Sequence, residues 1–294
     1  MTHLYNLADA QLSQPSVVTI GVFDGVHRGH QVLIDRLVQE AHSAGLLSVV
    51  LTFFPHPDRV LRNLTGRYYL TSPEDRAEQL AKRGVDCVVT LPFNETTRQI
   101  RAADFVDQLI ASLKMKELWV GADFALGYKR EGNVYFLTEQ GREKGFVVTA
   151  IDLVRAEHAD GVISSTMIRQ ALEAGNVKQA AEWLGRSYTV RGEVMHGLAR
   201  GRTIGFPTAN INVWDEQVLP SNGVYAGWAT LESGERYPAV TNIGVRPTFD
   251  GVGVTVEVHL LDFDADIYGQ QLTFSFEHRL RGEKKFNGIQ ELIT

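Results

Sequence analysis

Across residues 1–184 the apolar positions switch between two periods. Near-continuous apolar runs at 16–23 (SVVTIGVF), 48–54 (SVVLTFF), 85–91 (VDCVVTL), 117–121 (ELWVG) and 146–154 (FVVTAIDLV) read as strands covered on both faces. Between them, Leu33, Ile34, Leu37, Val38 and Ala41 recur along one face of a helix over 32–45, and a second helix falls at 102–114. Ser72 before Pro73, with Asp75 at the capping-box offset and Gly84 after the last turn, marks another helix. Pro55 and Pro57 stop the second strand. Strands alternating with helices in this way give an α/β fold, a doubly wound parallel sheet with helices on both faces.

From Gly185 the pattern changes. YTVRGEVM, GVYAGWATL, RYPAVTNIG, VTVEVHLLDF and QLTFSFEHRL are β-rich runs separated by Gly, Pro, Asn and Asp, and only the last few residues read as helix. A compact antiparallel β-barrel or sandwich of about 110 residues is the expectation. The helical stretch 166–185 (TMIRQALEAGNVKQAAEWLG) joins the halves, giving domains 1–184 and 185–294. No internal repeat or low-complexity segment interrupts this order.

Composition narrows the class. At 44% hydrophobic and 22% charged residues the chain has an ordinary globular profile, with no apolar run long enough for a membrane helix. The N-terminal MTHLYNLADAQLSQPS has neither a basic region nor an apolar one, so a cytoplasmic protein is expected. Cys87 is the only cysteine, which excludes an internal disulfide or a cysteine-based zinc site, and its apolar run marks it as core. Charge is even: 19 basic against 22 acidic residues in 1–184, and 10 against 13 in 185–294. A chain without a basic footprint does not suit non-specific nucleic-acid binding, and it must hold any phosphate locally, through loops and helix N-termini.

The densest chemical signal is G21-V-F-D-G-V-H-R-G-H30, which leaves a strand and enters a helix. Ligands bind at the carboxyl ends of parallel strands, and free backbone N–H groups hold phosphate at helix N-termini. His27 and His30, three residues apart at that place, can donate to phosphate oxygens, while Gly25 and Gly29 permit close approach. Two histidines flanking a tight turn as ordinary polar surface is the bland alternative. Ser164, Ser165 and Thr166 precede an apolar-periodic helix, so a hydroxyl can cap it and its free N–H groups can face phosphate, with Arg169 pointing back. Here too a plain cap with a solvated arginine is the alternative.

These residues resemble the HxGH nucleotidyltransferase superfamily. The longer string GVFDGVHRGHQ is similar to its FAD synthetase branch, found in bacterial bifunctional riboflavin kinase/FAD synthetases. TFFPHP (52–57), GADFALGYKREGN (121–133) and ISSTMIR (163–169) resemble further motifs of that branch, in order. The resemblance implies a Rossmann-like domain that transfers the adenylyl group of ATP to FMN with no covalent enzyme intermediate. It assigns His27, His30 and Arg169 to catalysis. Gly21, Phe23, Asp24, Gly25, Gly29, Asp123, Ser164, Ser165 and Thr166 would bind the nucleotide, and Pro55 and Phe124 the flavin.

The β-rich half carries H196-G-L-A-R-G-R-T-I-G-F-P-T-A-N-I211, which lacks the spacing of a Walker A loop. Gly197, Gly201 and Gly205 with Arg200 and Arg202 can nonetheless form a basic loop around phosphates, or simply a Gly-rich turn before a strand. Thr208 and Asn210 are hard ligands of the sort Mg²⁺ accepts beside phosphate oxygens, and Pro207 fixes the local backbone. Glu257 alternates with Val256 and Val258, so it projects to the opposite face, as solvated surface or as a site residue. GRTIGFPTAN resembles the riboflavin kinase signature, and NIGVRPTF (242–249), VEVHLLDFDADIYG (256–269) and FEHRLRGEKKF (276–286) extend the likeness. The final QELIT stops short of the longer terminal helix usual in that family. What the resemblance implies is a catalytic glutamate at Glu257, ATP as co-substrate, Mg²⁺ at Thr208 and Asn210, and riboflavin near Asp262, Tyr268 and Arg279. Asp262, Asp264 and Asp266 read as an acidic loop closing over the flavin, since the EF-hand glycine and flanking helices are missing.

Riboflavin, FMN and ATP are then the partners, with weak self-association and neither nucleic acid nor membrane. Two rivals differ in class. One is another HxGH enzyme with an unrelated barrel, which would act on a different phosphorylated acceptor. The other is a non-enzymatic barrel that binds RNA or flavin, which the acidic balance disfavours.

Overall fold

The computed structural model describes residues 1–151, 163–196, 207–248 and 251–283. The chain divides into two units, Met1–Thr65 with Thr71–Ser164, and Gly66–Leu70 with Ser165–Thr294.

In chain order the first unit contains β1 (Thr2–Leu4), β2 (Ser16–Ile20), α1 (Arg28–Ser43), β3 (Leu47–Phe54), α2 (Pro57–Arg62), α3 (Pro73–Ala81) and β4 (Cys87–Pro92). It continues through α4 (Glu95–Arg98), α5 (Ala102–Leu113), β5 (Met115–Gly121), the short strands β6 (Ala125–Leu126) and β7 (Gly132–Asn133), α6 (Val134–Lys144) and β8 (Val147–Ile151). Six strands form a parallel sheet in the order β1-β4-β3-β2-β5-β8. The apolar strands are explained by alternation across two covered faces. Val18, Val49, Leu51 and Leu118 meet Phe105, Leu109 and Leu113 of α5 on one side, while Val50 and Val88 meet Ile34 of α1 and Leu80 of α3 on the other. Each such side chain contributes about 1.5–3 kcal/mol by leaving water. Strand order reverses between β2 and β5, so a crevice opens beyond their carboxyl ends.

Two boundaries differ from the periodicity. β2 stops at Ile20 because Phe23 (φ 51°), Gly25 (φ 78°) and Val26 (φ 40°) adopt left-handed conformations that no strand accommodates. α1 starts at Arg28, ahead of its apolar stripe, because its first turn is polar and carries no periodic signal.

The second unit begins with α7 (Ser165–Glu173) and α8 (Val177–Leu184), where one helix was expected. Gly175 (φ 75°) breaks it, and the Asn176 side chain accepts from Gln179 N–H at 3.1 Å to start the next. There follow β9 (Tyr188–Met195), β10 (Ala209–Val213), β11 (Gly223–Leu231), β12 (Arg236–Thr248), β13 (Gly251–Leu260) and β14 (Gln271–Gly282). They close a barrel in the order β10-β13-β12-β11-β14-β9, with antiparallel neighbours. Val190, Tyr225, Thr241, Val258, Phe274 and Phe276 are buried within this unit. The segment Gly66–Leu70 belongs here too: Tyr69 is fully buried and stacks on Trp214 at 5.0 Å. The helix expected at the C-terminal end lies outside the described residues.

Candidate active sites

The turn from β2 to α1 places the first candidate site at the crevice beyond the switch point. His27 is the N-cap of α1, and its Nδ1 accepts from the His30 backbone N–H at 3.4 Å. Accepting at Nδ1 leaves the proton of a neutral ring on Nε2. The two imidazoles stack at 3.6 Å and 19°, and Phe23 meets His30 edge-on at 5.1 Å. Burial, then the neighbouring His27, then Arg76 hold His30 well below the ordinary histidine range, so its ring is neutral at physiological pH. Its Nδ1 is enclosed and has no hydrogen-bond partner among the described residues. An orphaned ring nitrogen beside a helix N-terminus is a group suited to an incoming ligand.

The remaining predicted residues of this half fall into two sets. Gly21 and Gly29 stand where a Cβ would press on the Phe23 ring at 3.0 Å and the His27 ring at 3.3 Å. Asp123 and Phe124 follow β5, on the other side of the switch point, and Phe124 N–H closes a turn onto the Gly121 carbonyl. Pro55 is exposed at the end of β3. Asp24 is different. It is 1% exposed, accepts from Thr71 N–H at 3.2 Å and lies 3.8 Å from the buried Arg76 guanidinium. In the second unit, Ser165 and Thr166 occupy the first turn of α7, immediately after Ser164. Arg169 donates through Nε to the Tyr68 carbonyl at 2.6 Å and lies 4.1 Å over the Tyr68 ring.

In the barrel, β13 buries Val256 and Val258 and leaves Glu257 half-exposed, as the alternation requires. Glu257 is registered opposite Asn210 of β10 on one side and Asn242 of β12 on the other, so the three residues share one face of the wall. Ala209 is buried between Thr208 and Asn210, which therefore both turn to the outer face. His259 donates through Nδ1 to the Pro207 carbonyl at 2.7 Å and fixes the start of that segment. A cavity of about 390 Å³ is lined by Pro207, Thr208, Phe263, Asp264, Asp266 and Tyr268, among others. Tyr268 stacks on His196 at 3.8 Å. Asp262 sits in a left-handed turn (φ 54°) before that loop and is not in the cavity lining. Arg279 donates to the carbonyls of Ala174 at 3.2 Å and Asn222 at 3.0 Å. Gly197, Gly201, Arg202 and Gly205 lie outside the described residues.

Sequence comparison joins these two geometries. A sequence model of FAD synthetase matches residues 9–167, and one of riboflavin kinase matches residues 184–294. A Listeria monocytogenes protein named bifunctional riboflavin kinase/FMN adenylyltransferase is 40% identical over 95% of this chain and 88% of its own length. The chain belongs to the bifunctional riboflavin kinase/FMN adenylyltransferase family. Bearers of the same name from Bacillus subtilis and Escherichia coli are 37% and 39% identical, over 99% and 98% of the chain and 92% and 91% of their own lengths. A Streptococcus pneumoniae crystal structure described as a macrolide-efflux protein superposes with a TM-score of 0.87 at 32% identity, over 99% of this chain and 94% of that one. Among the described residues no helix is long and apolar enough to cross a membrane.

For this member of the family, sequence reasoning passed over Arg76, Thr71 and Asn242. Arg76 alone left a trace, as a charged residue on the apolar face that Ala77 and Leu80 define in α3. Thr71 and Asn242 acquire meaning only from contacts and register distant in sequence.

Proposed function

We infer that the chain catalyses two consecutive ATP-dependent steps on one flavin. The C-terminal half phosphorylates riboflavin to FMN, and the N-terminal half adenylylates FMN to FAD with release of pyrophosphate. The observation that carries this reading is the pairing of a stacked histidine couple at a helix N-terminus with a carboxylate on a barrel wall. The family-model limits, 9–167 and 184–294, support two functional parts that change over between residues 167 and 184, while the compact units divide between Ser164 and Ser165.

In adenylyl transfer an FMN phosphate oxygen attacks the α-phosphorus of ATP and the bond to the β-phosphate bridging oxygen breaks. Charge gathers on oxygens already present, so the protein's work is positioning and stabilisation. His27 and His30 donate to the ATP phosphates, His30 as a neutral imidazole. The backbone N–H groups of α1 and the close approach allowed at Gly21, Gly25 and Gly29 hold the same chain, with Phe23 packed against His30. Ser164, Ser165, Thr166 and Arg169 supply further phosphate donors, Asp123 a polar nucleotide contact, and Pro55 and Phe124 the flavin wall.

In the kinase step Glu257 takes the proton from the ribityl 5′-hydroxyl as that oxygen attacks the γ-phosphorus, and ADP leaves. Thr208, Asn210 and Glu257 present only hard oxygen donors on one face, which fits Mg²⁺ held mainly by phosphates and water; no group of three His, Cys, Asp or Glu residues among those described could hold a metal alone. When bound, Mg²⁺ neutralises phosphate charge. Pro207, with Gly197, Gly201, Arg202 and Gly205, binds the nucleotide, and Asp262, Tyr268 and Arg279 border the flavin. We further read the enzyme as cytoplasmic and weakly self-associating, with no nucleic-acid partner.

Incubation with riboflavin, ATP and Mg²⁺, with separation of the flavins over time, tests the reading. FMN rises first and FAD follows. Consumption of ATP without either product, or turnover only on a different phosphorylated acceptor, overturns it.

A further inference from the structure

The histidine turn is held by a buried network of side chains. Arg76 of α3 is 0% exposed, and its Nη1 donates to the Thr52 hydroxyl at 3.1 Å and the Phe53 carbonyl at 3.4 Å. Its Nη2 lies 3.8 Å from Asp24 Oδ1. The Thr52 hydroxyl donates in turn to the Val22 carbonyl at 2.8 Å, and Gly25 N–H donates to the Thr71 hydroxyl at 3.2 Å. Asp24 Oδ1 accepts from Thr71 N–H. The guanidinium thus holds the end of β3, which Thr52 links to the Val22 carbonyl after β2, and lies beside Asp24. Thr71, two residues before α3, bonds Asp24 and Gly25, and these contacts together form a cage around residues 22–25.

What the cage restrains is an unfavourable backbone. Phe23, Gly25 and Val26 all have positive φ, and for a β-branched valine that conformation persists only when its surroundings impose it. Directly after it come His27 and His30. Asp24, expected among the nucleotide contacts, turns its Oδ1 into the cage.

We propose that Arg76 is a positioning residue for adenylyl transfer, clamping the turn through Asp24 and Thr52 so that His27 and His30 face the phosphates together. The proposal rests on the adenylyltransferase reading of this half. The titratable and charged groups set against His30 are His27, stacked on its ring, and Arg76, whose own partner is Asp24. Removing the Arg76 cation takes away the smallest of the three causes that lower His30, so its pKa rises somewhat while burial and His27 still hold it below the ordinary value. Lysine, which keeps the charge but not the planar fork, leaves it nearly in place.

Full-length Arg76→Met and Arg76→Lys proteins are compared with the parent in three measurements. These are FMN-to-FAD turnover, riboflavin-to-FMN turnover in the same samples, and NMR titration of ¹³C-labelled imidazoles, with His30 assigned from His30→Gln. Arg76→Met is expected to lower kcat for FAD formation at least 30-fold, with kinase turnover within twofold and the His30 inflection at higher pH. Arg76→Lys is expected to lose about tenfold in kcat with the inflection nearly unmoved. A folded Arg76→Met protein with parental kcat for FAD formation, or one that loses kinase turnover to the same extent, overturns the proposal. Should Arg76→Met not fold, parental kcat in Arg76→Lys overturns it and a tenfold loss supports it. A parent protein that makes no FAD fails the adenylyltransferase reading, which is a different result.

Discussion

Replacing His27 with asparagine separates the two roles that residue holds. As N-cap it accepts from His30 N–H at 3.4 Å, a long bond at the weak end of the 0.5–2 kcal/mol range, roughly, that caps contribute. Asparagine caps as well as any residue, so this contribution survives. The stack on His30 at 3.6 Å is lost, and aromatic pairs of that kind contribute about 0.5–1.5 kcal/mol. His27→Asn should therefore lower the stability of the first unit by about 1 kcal/mol, a melting shift of about 2–4 °C. The chemical loss is larger. A preorganised donor to charge developing in a transition state is worth about 2.7–4 kcal/mol, or about 10²–10³ in kcat. The assay is FAD formation from supplied FMN and ATP, followed by chromatography beside a thermal melt and the riboflavin kinase rate of the same sample. FAD formation reduced less than threefold in a folded variant would refute the placement of His27 on the phosphates. A melting loss above about 10 °C would show that the residue is mainly structural.

Glu257→Gln removes the base while keeping its shape, and should lower FMN production by about 10²–10⁴ while supplied FMN is still converted to FAD at the parental rate; loss of both reactions in a folded protein argues against separate sites. Gly127→Ala forces a side chain onto a positive φ of 77° with its Cβ 2.6 Å from Ala102 N, and should destabilise the first unit by about 2–4 kcal/mol in a denaturant melt. Burial pushes the Asp86 carboxyl up, but hydrogen bonds from Ser48 N–H, His42 and the Ser48 hydroxyl outweigh it and hold the group below its usual range. Its stabilisation is thus present above the unfolded carboxylate pKa of about 4 and is lost as pH falls through the lower folded value. Asp86→Asn should reduce the melting temperature at pH 7, and the difference from the parent should shrink progressively as pH falls below the ordinary carboxylate range; a difference that stays constant from neutral to strongly acid pH would contradict this.

Local signals in the sequence carried the elements that bear motifs. The Ser72 cap appears where the capping box put it, with its hydroxyl accepting from Asp75 N–H at 3.0 Å. Glu257 points away from Val256 and Val258 because a strand has a period of two, and that much follows from three consecutive letters. Its neighbours do not. Asn210 and Asn242 flank it through pairing between strands far apart in the chain, and a single sequence does not state its register. Arg76 was hidden for the same reason: a helix reveals which face is inward, but not that a carboxylate from another loop waits there. The break at Gly175 was legible in principle from Gly-Asn, yet the apolar period runs on through it. The segment Gly66–Leu70 shows no pattern that would assign it to the barrel unit, since Tyr69 finds Trp214 only in the folded chain.

The account stands on two chemically separate sites, and mixing two crippled proteins tests it most directly. Glu257→Gln supplied with riboflavin and ATP should make FMN and FAD only at about 10²–10⁴-fold below the parental rate, and His27→Asn should accumulate FMN with little FAD. Equal amounts of both, given riboflavin, ATP and Mg²⁺, should restore FAD at a rate near half that of the parent, because FMN released by one protein is taken up by the other. FMN that accumulates in the mixture while FAD stays absent, although the Glu257→Gln protein converts added FMN, would contradict free exchange between the sites; failure of that protein to convert added FMN would contradict their separateness.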